Sequence, residues 1–204
     1  MIARRQARRE EAGAIFRQTV SAPGYSAFVM PAETEFIVRP IRLEEHAALG
    51  ELSVAAYRSL PLVMPHQDVY DRQLRDVARR AETSCVLVAV APAGEVLGGV
   101  TYVSGPDNPY AEELRDGEAG MRMLAVDPAR HGRGVGRALA LACIDRARAA
   151  GRHRLVLHTG AWMSAACHLY ESLGFRRVPA LDFVPAPGIE LLAYALRLDR
   201  RTSR

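Results

Sequence analysis

From Phe36 onward the chain alternates short β-branched runs with longer stretches that carry apolar residues at helical spacing. Phe36-Ile37-Val38 reads as a strand stopped by Pro40, and residues 44–58 as a helix with Leu49, Leu52 and Ala56 on one side. Pro61 and Pro65 break the chain before a polar helix over residues 69–81. Two apolar runs, 85–90 and 96–103, joined by Pro92-Ala93-Gly94, predict a hairpin. After a polar loop at 104–116, residues 119–126 form a third long strand ended by Asp127-Pro128, and a helix follows over 135–150 until Gly151. Residues 154–158 predict a strand, 162–173 a helix closed by Gly174, and 175–178 and 190–198 two further strands. This order predicts a mixed sheet with helices on both faces, an α/β (α+β) sandwich.

Residues 1–35 lack a clean period, so the organisation expected is a basic appendage over 1–35, partly ordered with one short helix near 10–20, then a domain over 36–198 and a basic tail over 199–204. The net charge of +4 invites a nucleic-acid reading until it is located. Five Arg against Glu10 and Glu11 open the chain and three Arg against Asp199 close it, which leaves the body near neutral with no basic stripe. No nucleic-acid partner is therefore expected. All 27 basic residues are arginine, which excludes a Schiff-base lysine and a lysine-bearing phosphate loop. Cys85, Cys143 and Cys167 stand far apart, and no run of eighteen apolar residues occurs, so the expectation is a cytoplasmic protein without a disulfide framework or membrane span. His46, His66, His131, His153 and His168 show no paired spacing, and no metal is expected.

The chemistry concentrates at residues 128–139, P-A-R-H-G-R-G-V-G-R-A-L, where three glycines alternate between a strand and a helix. Glycine lets a backbone turn sharply and approach a ligand, and the first turn of a helix leaves N–H groups that attract phosphate oxygens. A dinucleotide fingerprint fails, because counting from Gly132 or from Gly134 puts Arg137 or Leu139 in the last glycine slot. A Walker loop fails for want of lysine. A coenzyme A diphosphate fits.

Met123-Leu124-Ala125-Val126-Asp127-Pro128, the loop Gly132-Arg133-Gly134-Val135-Gly136-Arg137, and Leu169-Tyr170-Glu171-Ser172-Leu173-Gly174-Phe175 together resemble the GNAT superfamily of N-acetyltransferases. The resemblance implies a mixed, mostly antiparallel sheet of about six to seven strands with about four helices, splayed between the strands at 119–126 and 154–158. It also implies acetyl-CoA as co-substrate, backbone groups of Leu124 and Val126 offered to the pantetheine and acetyl carbonyl, and Gly132, Arg133, Gly134, Val135, Gly136 and Arg137 around the diphosphate. Two positions depart from the family pattern. His131 stands where Gln or Arg is usual, shifting side-chain help to Arg130 or Arg133, and Met163 replaces a frequent Asn.

Acyl transfer to an amine needs an acid for the departing thiolate, and Tyr170 suits it, since a phenol near about 10 and a thiol near about 8.5 can share a proton. Two residues compete as base: Glu118 at the start of one strand and His158 at the end of another, with a water as the third choice. Cys143 and Cys167 face no evident base, so direct transfer without an acyl-enzyme is expected. Trp162, Leu169 and Leu173 read as core, and Pro185-Ala186-Pro187-Gly188 as a rigid turn. The acceptor, a small amine or a peptide, carries no portable motif; by analogy its pocket involves residues 54–66 and 104–118. A protein that binds coenzyme A without transferring anything stays open as the rival reading, as does a protein N-terminus as target. A homodimer also stays open, with no repeat or exposed stripe to speak for one.

Overall fold

The computed structural model describes residues 36–62 and 67–198. The expected helix near 10–20, the appendage over 1–35, the tail over 199–204 and His66 lie outside the described residues. Eight strands form one sheet: β1 (Ile37–Pro40), β2 (Cys85–Val90), β3 (Val96–Val103), β4 (Glu118–Val126), β5 (Arg154–Gly160), β6 (Arg176–Arg177), β7 (Phe183–Ala186) and β8 (Ile189–Arg197). Their spatial order is β1-β2-β3-β4-β5-β8-β6, with β7 paired to β8. Among the described residues five α-helices flank it: α1 (His46–Arg58), α2 (Gln67–Arg75), α3 (Val77–Thr83), α4 (Val135–Ala149) and α5 (Ser164–Ser172). All pairings are antiparallel except β4 with β5.

Two elements differ from the sequence reading. The polar stretch is two helices, because Asp76 caps α3 by accepting from the Arg79 N–H at 3.2 Å. The buried Arg80 then donates back to the Gln73 and Leu74 carbonyls that α2 leaves unpaired. Pro40 is the last residue of β1, as expected; β1 is an edge strand, where a missing N–H costs little. The residues leading into the expected turn at 185–188 form β7, which pairs Ala186 with Ile189 around the left-handed Gly188 and brings the strand count to eight.

The faces of the sheet are covered differently. On the near face, Leu139, Ala140, Cys143 and Ala147 of α4 pack with Tyr170 and Phe175 onto Leu155 and Leu157 of β5. On the far face, Leu49 of α1 and Val77 of α3 cover the alternate β2 residues Val86, Val88 and Val90. Beyond β4 that face is covered by loops instead, with Ala111, Leu114 and Leu181 packed on Val156. Each fully buried Leu or Val contributes about 1.5–3 kcal/mol.

One junction decides where a ligand can enter. Pairing of β4 with β5 runs from Glu118 opposite Arg154 to Met121 opposite Leu157 and stops. The outer ladders continue, β3 with β4 to Gly98 opposite Val126, and β5 with β8 to Gly160 opposite Leu191. Beyond Met121 and Leu157 the two inner edges therefore diverge as a fork. A bulge accompanies the divergence: Thr101 opposes Arg122 and Gly99 opposes Ala125, so Val100 faces both Met123 and Leu124, and Met123 takes the left-handed φ of +50°.

Candidate active site

A cleft of ≈ 540 Å³ opens from the near face beside the free edge of β4 and reaches the end of α1 at the mouth of the fork. Its floor is Leu124, Ala125 and Val126, one wall is the loop and first turn of α4, and the other wall combines the end of α1 with the start of α5. Asp127 sets the loop off by accepting from the Ala129 N–H at 2.9 Å. Gly132 and Gly134 then take φ of +77° and +81°, with Gly134 as the N-cap of α4. A Cβ at either would meet nothing within 4 Å, so glycine is required there for backbone conformation, not for room. The result is a run of N–H groups at Val135, Gly136 and Arg137 that α4 leaves without helical partners.

The structure brings Leu124, Val126, Gly132, Gly134, Val135, Gly136, Arg137 and Tyr170 together around this one cleft. Arg133 is not among the residues that line it; it lies exposed on the loop. Arg130 does line it, tied to Glu95 at 2.8 Å, while Arg137 donates to Ser172 at 3.1 Å across to α5. His131 sits with Nε2 3.3 Å from the Val126 carbonyl, so with its proton on Nε2 the ring covers that strand-edge acceptor. Met163, in place of an asparagine, accepts from the Thr159 hydroxyl at 3.5 Å.

Tyr170 is buried, with Phe175 and Tyr194 at ring separations of 5.9 and 6.5 Å. Burial pushes its phenol above the ordinary range, with smaller contributions from Tyr57, Cys143 and Cys167. It is thus a neutral donor at physiological pH. Cys143 is likewise pushed up by burial and sits in the core, which leaves it a poor nucleophile.

Neither base candidate lines the cleft. Glu118 sits on the closed part of the β4–β5 ladder, opposite Arg154 and ion-paired with it at 3.2 Å, and accepts from the Arg115 N–H at 3.0 Å. His158 is turned to the far face, with Nδ1 2.9 Å from Glu112 and Nε2 3.0 Å from the Leu181 carbonyl. Period-two alternation explains the second placement: Leu157 points into the near-face core, so its neighbour cannot. Sequence reasoning missed Tyr57, which lines the cleft from α1, and the far-face pair Glu112 and Arg122. The first sat in a helix read only for its apolar stripe, and the others carry no motif.

Among the described residues no three His, Cys, Asp or Glu side chains gather as a metal site, and no helix is long and apolar enough to cross a membrane. The cleft suits coenzyme A: helix-start amides for the diphosphate, unpaired strand edge for the amides of pantetheine, and the apolar walls of Leu60, Pro61, Trp162 and Ala166 for its arm. Known proteins bear on the family and the fold. A zebrafish (Danio rerio) N-acetylaspartate synthetase is 37% identical over 106 residues, 52% of this chain and 34% of that protein. The L-amino acid N-acyltransferase MnaT of Escherichia coli is 35% identical over 80 residues, 38% of this chain and 46% of that one. The chain thus spans about a sixth to a half of the length of the curated relatives it matches. Its fold matches that of yncA, a putative acetyltransferase from Salmonella typhimurium solved with acetyl-CoA, at a TM-score of 0.57 and 23% identity, covering 83% of this chain and 97% of that one. The model of the acetyltransferase (GNAT) family matches residues 48–175, more than half the chain, and together with the glycine loop, the fork and the tyrosine helix this makes the chain a member of the GNAT acetyltransferase family.

Proposed function

We propose that this chain is an acetyl-CoA-dependent N-acetyltransferase that passes the acetyl group directly to a primary amine of a small acceptor. The observation that carries this reading is the meeting of the α4 start, the open β4 edge and Tyr170 in one cleft. Bound acetyl-CoA supplies an activated thioester. Val135, Gly136 and Arg137 hold its diphosphate through backbone N–H groups, and the groups of Leu124 and Val126 orient the pantetheine and thioester as an added strand would be held. As the amine nitrogen forms its bond to the acyl carbon and the C–S bond breaks, Tyr170 gives its phenolic proton to the departing thiolate and regains one from water. A cleft water takes the proton the amine loses, because Glu118 and His158 are engaged elsewhere.

Two relatives named for amino-acid chemistry, the L-amino acid N-acyltransferase and the N-acetylaspartate synthetase, favour an amino-acid-like acceptor over a protein terminus. A panel of amino acids, polyamines, antibiotics and N-terminal peptides, assayed for thiol release from acetyl-CoA, tests this. Turnover with a free amine is expected. Turnover with peptides alone would move the acceptor class to protein termini. Tight CoA binding without turnover on any amine would make the protein a non-catalytic binder.

A further inference from the structure

The far face of the fork holds an ion cluster that the transfer chemistry does not use, with the Arg122 and His158 side chains buried and Glu112 at its exposed rim. Arg122 leaves β4 one residue past the last β4–β5 rung, and its side chain is 6% exposed. Its Nη1 donates to the Met121 carbonyl at 3.1 Å and to the Val156 carbonyl at 3.0 Å, and Nη2 to the Ala111 carbonyl at 2.9 Å. The Nε faces Glu112 Oε2 at 2.9 Å, the same oxygen that His158 Nδ1 meets at 2.9 Å. His158 is held in turn by the Leu181 carbonyl and by the edge of Phe183, with ring centroids 4.9 Å apart. Glu112 reaches this point from a left-handed backbone, φ +52°. Room for the guanidinium exists because residue 120 is glycine; a Cβ there would stand 3.1 Å from Nη1 and 3.2 Å from Cζ.

A parallel ladder continues wherever strand carbonyls still find the amides of the neighbouring strand. Here one planar side chain spans the two strands, taking a carbonyl from each at the point where they part. A buried arginine is no efficient way to gain stability, since well-packed apolar residues serve as well or better, so what it supplies is a defined geometry. We propose that Arg122 is a positioning residue, a wedge clamped by Glu112 and His158 that fixes where β4 and β5 separate and so presents the Leu124–Val126 edge to the pantetheine arm. The cofactor half of this inference rests on the reading of the near-face cleft as the acetyl-CoA site. Without the wedge, the inner edges at 122–126 and 158–160 are free to pair further and close the fork.

Arg122→Met, Arg122→Lys and Glu112→Gln test the wedge by two readouts: hydrogen exchange of the amides at 122–126 and 158–160 in CoA-free protein, and CoA affinity by calorimetry. Arg122→Met is expected to change exchange along these edges and to weaken CoA by about tenfold or more. Arg122→Lys keeps the charge but not the fork-shaped donor set and should stay within about threefold of the methionine variant. Glu112→Gln should shift both readouts the same way by about threefold. Should Arg122→Met fail to fold, Glu112→Gln decides on the same two measurements. A lowered Tm with edge exchange and CoA affinity within about twofold of the parent would overturn the proposal and make the cluster ordinary core. If the parent protein itself binds no CoA, the reading of the near-face cleft falls, and the exchange comparison still decides the wedge.

Discussion

The two faces of the β4–β5 fork solve the same problem, an interrupted ladder, with different chemistry. On the near face the exposed groups are backbone: a strand edge at Leu124–Val126 and the first amides of α4, brought together by two left-handed glycines. On the far face they are side chains: a buried arginine, a glutamate and a histidine drawn from β4, the preceding loop and β5. The near face can accept a ligand because the first amides of α4 have no helical partners, while of its strand edge the Val126 carbonyl is met only by the exposed His131 ring. The far face is closed to one because Arg122 already takes carbonyls from both strands and from the loop. One side of the junction is built to be completed, and the other is complete.

The largest expected effect tests the near face. Tyr170→Phe removes only the proton donor, so kcat should fall by about ten- to a thousandfold, while CoA affinity by calorimetry stays within about twofold. An unchanged kcat would remove Tyr170 from the chemistry. Gly134→Val strains a left-handed N-cap in open space and should cost about 1–2 kcal/mol or more, weakening CoA by tenfold or more with little change in kcat at saturation. Glu118→Gln sharpens the comparison from the closed end of the ladder. Losing part of a buried ion pair, it should lower stability by about 1–3 kcal/mol in denaturant titrations and leave kcat within about twofold, whereas a collapse of kcat at intact stability would restore Glu118 as the base.

The smallest effect is a pH dependence. Burial pushes the Glu112 carboxyl up, but the close approach of the His158 ring and the charge of Arg122 outweigh it and hold the group below its usual range. A depressed carboxyl contributes stability that is present above the ordinary carboxylate pKa and lost as pH falls through the lowered one. The Tm advantage of the parent over Glu112→Gln should therefore be steady from about pH 7 to 5 and shrink below about pH 4. An advantage that held constant down to about pH 3 would contradict the ion cluster.

Near-face features were legible in the sequence for the same reason that they can bind: they are encoded locally. The alternating glycines before residue 135, the Asp127-Pro128 stop and the Leu169-to-Phe175 run each act within a few residues of chain, and each stands where it was expected. The hairpin over β2 and β3 was legible from two β-branched runs and the Pro92-Ala93-Gly94 between them. What escaped depends on residues far apart in sequence. Arg122 meets Val156, and His158 meets Glu112 and Leu181, through the sheet register and two irregular loops, for which no spacing rule exists. Likewise β7 is short and proline-containing, and pairs only because β8 lies beside it. Neither Glu118 nor His158, named from sequence position, lines the cleft: an ion pair with Arg154 holds the first, and the second follows Leu157, whose side chain takes the near-face core.

The most direct test of the whole account is amide mapping of isotope-labelled protein titrated with coenzyme A. Saturable shifts or protection concentrated at residues 124–126 and 132–137, with Glu118 and its neighbours on the closed ladder unaffected, is the predicted result. Saturation elsewhere on the surface, or no response at these amides with ligand well above the micromolar range, would contradict it.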